Sequence, residues 1–147
     1  MTETEKIIAG ITSFKEYDLN TEFENEEIVQ LLEEGVIKAT DIPMLRASNL
    51  LIDGIISYTD YPFEKFTPYE QLRHLYHNTI GASEFLEKAD LDLFDADEWL
   101  FLLELIPHIA DKAPWEMIRQ EGAPAKWAEL LEAQPQFSSY QKSCCGQ

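Results

Sequence analysis

The chain has 147 residues, enough for one domain with a real core, and its 45% hydrophobic and 12% aromatic content argues against disorder. Twenty-eight acidic residues against eleven basic ones leave a net charge of −17, a field that repels nucleic acid and anionic membrane and attracts basic protein surfaces or cations. The polar, acidic start Met1-Thr2-Glu3-Thr4-Glu5-Lys6 is unlike a signal peptide, no apolar run nears the ~20 residues of a membrane span, and the only cysteines are the neighbours Cys144 and Cys145, so the expected setting is reduced and cytoplasmic.

Taken in order, Lys6 to Tyr17 carries Ile7, Ile8, Ile11 and Phe14 at the spacing of one helical face. Asn20 or Thr21 is the expected cap of a second helix with the stripe Ile28, Leu31 and Leu32, and Gly35 stands where a left-handed C-cap belongs. A third helix is expected from Thr40 or Asp41, with Pro43 in its first turn, through Leu45, Leu50, Leu51 and Ile55 towards Tyr58, with Gly54 inside it either shortening it or allowing a close helix contact. Tyr58 to Phe66 reads as a loop. Thr67-Pro68-Tyr69-Glu70 then gives a Thr N-cap, a proline at the first helical position and a capping-box Glu. Leu72, Leu75 and Tyr76 follow as a buried face that Gly81 is expected to end, and Ser83 is expected to cap a short helix with Phe85 and Leu86. Asp95 caps the Trp99 helix, Pro107 stops it, Pro114 opens a short helix that Gly122 closes, and Pro124 to Pro135 bounds the last one. No alternating run joined by a hairpin turn reads as a strand. The expected fold is all-α: one domain over 1–140 of about seven or eight helices, a helical-hairpin array or irregular bundle, with a flexible polar tail over 141–147.

One pattern is written twice. Trp99-x-x-Leu102-Leu103, Pro107 and Ile109 recur as Trp127-x-x-Leu130-Leu131, Pro135 and Phe137, each shifted by 28 residues. A weaker relative lies 71 residues upstream of the first copy: Glu27-Ile28 and Leu31-Leu32 align with Glu98-Trp99 and Leu102-Leu103, and Pro43 with Pro114. A repeat of this kind is expected to bury its apolar face against a copy of itself.

The run Pro107-His108-Ile109-Ala110-Asp111-Lys112-Ala113-Pro114-Trp115-Glu116-Met117-Ile118 resembles the Pro-x-Phe-Ala-Asp-Lys-x-x-Trp-x-x-Leu element of tandem bacterial helical repeats. Trp127 through Leu130-Leu131 to Gln134-Pro135-Gln136-Phe137 is similar to their Trp-x-x-Leu-Leu-x-x-Gln-Pro-Gln-Phe element. The likeness covers about residues 98–140, and the chain departs from it in lacking the cysteine usual after Ala-Asp-Lys and in its longer repeat spacing. It implies an interaction scaffold and brings no catalytic residue with it.

Candidate chemistry is thin. Glu70, His74 and His77 sit at i, i+4 and i+7, so on a continuous helix all three share a face that would suit Zn or Fe. Glu70 is already explained as a capping residue, and the spacing fits neither the zinc-protease nor the di-iron pattern. Cys144-Cys145-Gly146-Gln147 has the outline of a prenylation box, without aliphatic middle positions or a basic cluster upstream. No phosphate-cradling glycine loop is present, and no cofactor is expected.

The acidic residues cluster instead: eight from Glu16 to Glu34 without an intervening Lys or Arg, and eight from Glu84 to Glu104 against Lys88 alone. Solvated helix starts explain any one of them. The aggregate points to a partner-binding surface made of Glu22, Glu24, Glu26, Glu27, Asp92, Asp95, Asp97 and Glu98, with Trp115 either capping the core or serving as an exposed aromatic anchor. The expected function is non-catalytic: an inhibitor or immunity-type protein that occludes the basic, nucleic-acid-binding site of a partner such as a nuclease. The rival readings are a metal-binding enzyme using Glu70, His74 and His77, and a structural or adaptor repeat protein that binds through apolar grooves.

Overall fold

The computed structural model describes residues 1–141, and every regular element among them is helical. The α-helices are α1 (Glu3–Ile8), α2 (Asn25–Glu33), α3 (Met44–Ile52), α4 (Pro68–Tyr76), α5 (Ala82–Lys88), α6 (Ala96–Leu105), α7 (Trp115–Glu121), α8 (Pro124–Ala133) and the single turn α9 (Ser138–Gln141). The expected polar tail therefore begins inside α9, and Cys144 and Cys145 lie outside the described residues. Helices this short are marginal alone in water, so their stability comes from the faces they bury. The chain forms two compact units, Met1–Glu70 and Gln71–Gln147, the second described as far as Gln141.

How the helices start explains how they pack. An apolar residue just before the N-cap and another four positions into the helix form a staple that fixes the entry of the chain. Phe23 and Ile28 hold these positions at α2, Ile42 and Ala47 at α3, Ile80 and Phe85 at α5, and Phe94 and Trp99 at α6, and all eight are buried. The Phe94 and Trp99 rings meet edge to face with centroids 6.5 Å apart.

How the early helices end is also repeated. Gly10, Gly35, Gly54 and Asn78 take positive φ just past α1, α2, α3 and α4. The next amide donates back into the last turn: Val36 N–H to the Leu31 carbonyl at 3.2 Å, Ile55 to Leu50 at 2.8 Å and Thr79 to His74 at 2.8 Å. This is the Schellman cap, in which glycine enters the left-handed region without a Cβ clash. The residue after it, Ile37, Ile56 or Ile80, turns into the core. In the first unit that core joins Ile7, Leu19, Phe23, Ile28, Leu31, Ile37, Ile42, Leu50, Leu51, Ile56, Tyr61 and Phe66.

Several sequence expectations are corrected by these caps. The third helix stops at Ile52 because Gly54 is its C-cap turn, so Ile55 to Tyr58 is not helical. Asn78, not Gly81, ends α4, and Gly81 is the N-cap of α5 in place of Ser83. Helix α2 is capped at Glu24, later than Asn20 or Thr21, and α1 ends at Ile8 with a separate 3-10 turn at Phe14–Glu16. Before α3 the segment Ala39–Asp41 is a 3-10 turn, and Pro43 is the N-cap.

In the second unit the 28-residue register holds at the backbone. α6 and α8 both span ten residues at that offset, and each is followed by a proline-led 3-10 turn, Pro107–Lys112 or Pro135–Phe137. The C-caps Ile106 (φ −132, ψ 76) and Gln134 (φ −136, ψ 75) share one conformation, and each donates its N–H to a leucine carbonyl four residues back at 2.7 Å. Trp99, Leu102 and Ile109 are buried in one copy, and Trp127, Leu130 and Phe137 in the other, and α6 packs against both α7 and α8. The 71-residue register holds too: α2 and α6 start in alignment, and Pro43 and Pro114 are both N-caps. The chain is a helical repeat.

Candidate functional site

The acidic helix starts are first of all caps. At α2 the Glu24 N–H donates to Glu27 Oε1 at 2.9 Å, while Glu27 Oε2 accepts the Thr4 hydroxyl at 3.1 Å, so both Glu27 oxygens are occupied. Glu22 accepts the Asp18 N–H at 2.8 Å. At α6, Asp95 and Glu98 close a reciprocal box, Asp95 N–H to Glu98 Oε1 at 2.9 Å and Glu98 N–H to Asp95 Oδ1 at 2.8 Å. Asp97 Oδ1 accepts the Ala123 N–H at 2.8 Å and so caps α8. Glu27, Asp95, Glu98 and Asp97 each satisfy an amide that a helix start leaves open, whereas Glu22 closes the turn before α2.

Glu22, Glu24 and Glu26 are exposed in the first unit, as are Asp92 and Asp95 in the second, whereas Glu27, Asp97 and Glu98 are half-buried. Glu98 is raised above the ordinary glutamate value by burial, opposed by its bond from Asp95 N–H. The eight acidic candidates thus fall into two groups, one in each unit. Asp92 also lines a cleft of about 350 Å³ whose walls include Phe94, Trp99, Met117 and Lys112.

Trp115 belongs to an aromatic cluster. Its indole N–H donates to the Ala110 carbonyl at 2.8 Å, its ring stacks on Tyr140 with centroids 4.3 Å apart, and Trp127 and Phe137 flank it. The side chain is half-buried, and its polar atom is already satisfied.

The three metal candidates do not share a face. Helix α4 ends at Tyr76, so His77 is past the last helical residue and exposed, while His74 is fully buried and Glu70 nearly so. His74 occupies the Schellman position held by Leu31 after α2 and Leu50 after α3, a core position. Among the described residues no group of three His, Cys, Asp or Glu side chains is arranged to hold a metal ion. The expected capping bond is present, with Glu70 N–H donating to Thr67 Oγ1 at 3.4 Å.

Two features went unread in the sequence. In the first unit a groove of about 600 Å³ is floored by Val29, Leu32, Ile37, Ile55 and Ile56 and edged by Glu33, Lys38 and Asp60. The signal for it was the paired aliphatics on either side of Gly35 and Gly54, of which the pair after Gly54 read as helix interior. In the second unit Glu104, Glu129 and Glu132 line a shallow acidic cleft, where burial first, and Glu129 second, raises the Glu104 carboxyl. No helix among the described residues is long and apolar enough to cross a membrane. Comparison of the chain with protein-family models, with curated proteins and with solved structures finds no match.

Proposed function

We propose that this chain is a non-catalytic, acidic helical-repeat module that binds a basic protein surface, acting as an inhibitor or immunity-type protein over the nucleic-acid-binding site of a partner. The observation that carries this reading is charge: both units are acidic, with fifteen acidic residues against five basic ones in residues 1–70 and thirteen against six in the remainder. Exposed Glu22, Glu24, Glu26, Asp92 and Asp95 add negative charge at helix starts, where carboxylates would stand in for phosphates. Such a field accelerates encounter with a basic partner and disfavours acidic ones. The likeness to tandem bacterial helical repeats supports an interaction scaffold without adding a catalytic residue.

The test is affinity capture from the native cell at about 50 mM and about 500 mM salt, a range over which phosphate-mimicking contacts weaken strongly. A basic protein retained at low salt and released at high salt is the expected result. Retention of only neutral or acidic proteins, or a complex indifferent to salt, would count against the reading. The groove of the first unit favours a second reading, an adaptor that binds through apolar contacts, which the same experiment separates by its weak salt dependence.

A further inference from the structure

Resting on that reading, we infer that the groove of the first unit receives an amphipathic helix of the partner, aliphatic on the face that enters and lysine- or arginine-bearing beside it. The floor is apolar, and Val29, Leu32 and Ile55 are half-buried rather than sealed, so each still presents apolar surface to an entering side chain. The inner wall is anchored in the core: Ile37 and Ile56 are the buried residues that follow two Schellman caps. Burying a further aliphatic side chain there is favourable in proportion to the area it removes from water.

Charge selects the occupant. Glu33 and Asp60 stand on the rim against Lys38, in a unit with ten more acidic than basic residues. A second copy of this chain would bring the same negative field and be repelled, whereas a basic segment is drawn in. Backbone chemistry selects its conformation. No strand is present among the described residues to pair with an extended peptide, so an extended segment gains no sheet hydrogen bonds here, whereas a helix satisfies its own backbone and turns one apolar face to the floor.

The experiment uses the whole chain and two synthetic helical peptides of about 14 residues, a length near the lower limit for helix formation in water. One carries leucine on one face and lysine on the other; its control keeps every lysine and replaces the leucines with glutamine. Titration calorimetry at about 150 mM salt, where long-range charge effects are screened, should show the leucine peptide binding at least about tenfold more tightly than the control. Ile55→Ser should remove most of that difference, while Leu45→Ser, an exposed aliphatic of the same unit outside the groove lining, should leave it. If Ile55→Ser fails to fold by circular dichroism, Val29→Ser tests the same floor. Equal affinity for both peptides, or no response to either groove variant, would overturn the groove assignment while leaving the acidic reading standing. Binding of neither peptide would contradict both. Sedimentation that shows a dimer dissolved by Ile55→Ser would overturn the assignment in favour of a second copy.

Discussion

The carboxylate of Asp97, in the first turn of α6, accepts the backbone N–H of Ala123, the N-cap of α8, at 2.8 Å. One repeat copy thereby caps the other with a side chain that sequence reasoning assigned to a partner. Lys126 stands at the N3 position of α8, where a capping-box Glu would accept the Ala123 N–H, so that amide takes its acceptor from elsewhere.

Asp97→Ala should therefore destabilise the fold by about 1–2 kcal/mol, the usual cost of removing a helix cap. Asp97→Asn should cost less, because the amide oxygen still accepts. Urea midpoints of the three proteins decide this, and an Ala variant as stable as the parent would show that the bond contributes nothing.

Gly122 closes α7 at ordinary negative φ, so its requirement is space rather than backbone freedom. A Cβ there would lie 2.6 Å from the Ile118 carbonyl oxygen, 2.9 Å from Leu100 Cδ1 and 3.0 Å from Trp127 Nε1. Gly122→Ala should cost about 1–3 kcal/mol as an overpacked site. Gly35→Ala, with nothing within 4 Å but φ +72, should cost about 1–2 kcal/mol through backbone strain alone. Thermal melts of both variants, with tryptophan fluorescence as the readout, should show perturbed emission only for Gly122→Ala, since only that site touches an indole.

Glu104 sets a pH dependence. Burial and then Glu129 hold its carboxyl above the ordinary value of 4.5 in the folded protein. Between 4.5 and the raised value the folded state binds more protons than the unfolded chain, so this group's contribution to stability falls as pH rises through that window. Its penalty is full above the folded pKa and absent below 4.5. Glu104→Gln should raise the urea midpoint at pH 7 and leave it nearly unchanged at about pH 4. Glu5 works in the opposite sense: held low by the Thr2 N–H and hydroxyl, it supports the fold above 4.5 and ceases to as pH falls through its lowered value.

With His74 in the core and His77 beyond the end of α4, a chelator should leave the melting temperature of the purified protein unchanged, and added zinc should not raise it. A chelator-induced fall of several degrees would reinstate the metal reading.

The sequence made some of this legible because the signals were local. Thr67-Pro68 and Asp95 mark helix starts by their own hydrogen-bonding chemistry, and the tryptophan–leucine–proline register survives as matching helices and matching C-caps. Helix ends were less legible. Leu50, Leu51, Ile55 and Ile56 keep an apolar spacing across Gly54 because the chain reverses there and sends Ile56 into the same core. Asn78 hid the end of α4 for a related reason, since asparagine tolerates the left-handed region without the plain signal a glycine gives. The metal triad failed with it, as its geometry needed the helix to continue through His77. For the acidic cluster, spacing revealed the residues but not that Glu27, Asp97 and Glu98 were already engaged by amides and a hydroxyl of this chain.

Competition on the basic partner recovered by capture tests whether the acidic surface stands in for nucleic acid. Nucleic acid bound to that partner should be displaced stoichiometrically by this chain, with an apparent affinity that weakens steeply as salt rises. A ternary complex of partner, nucleic acid and this chain would contradict the account.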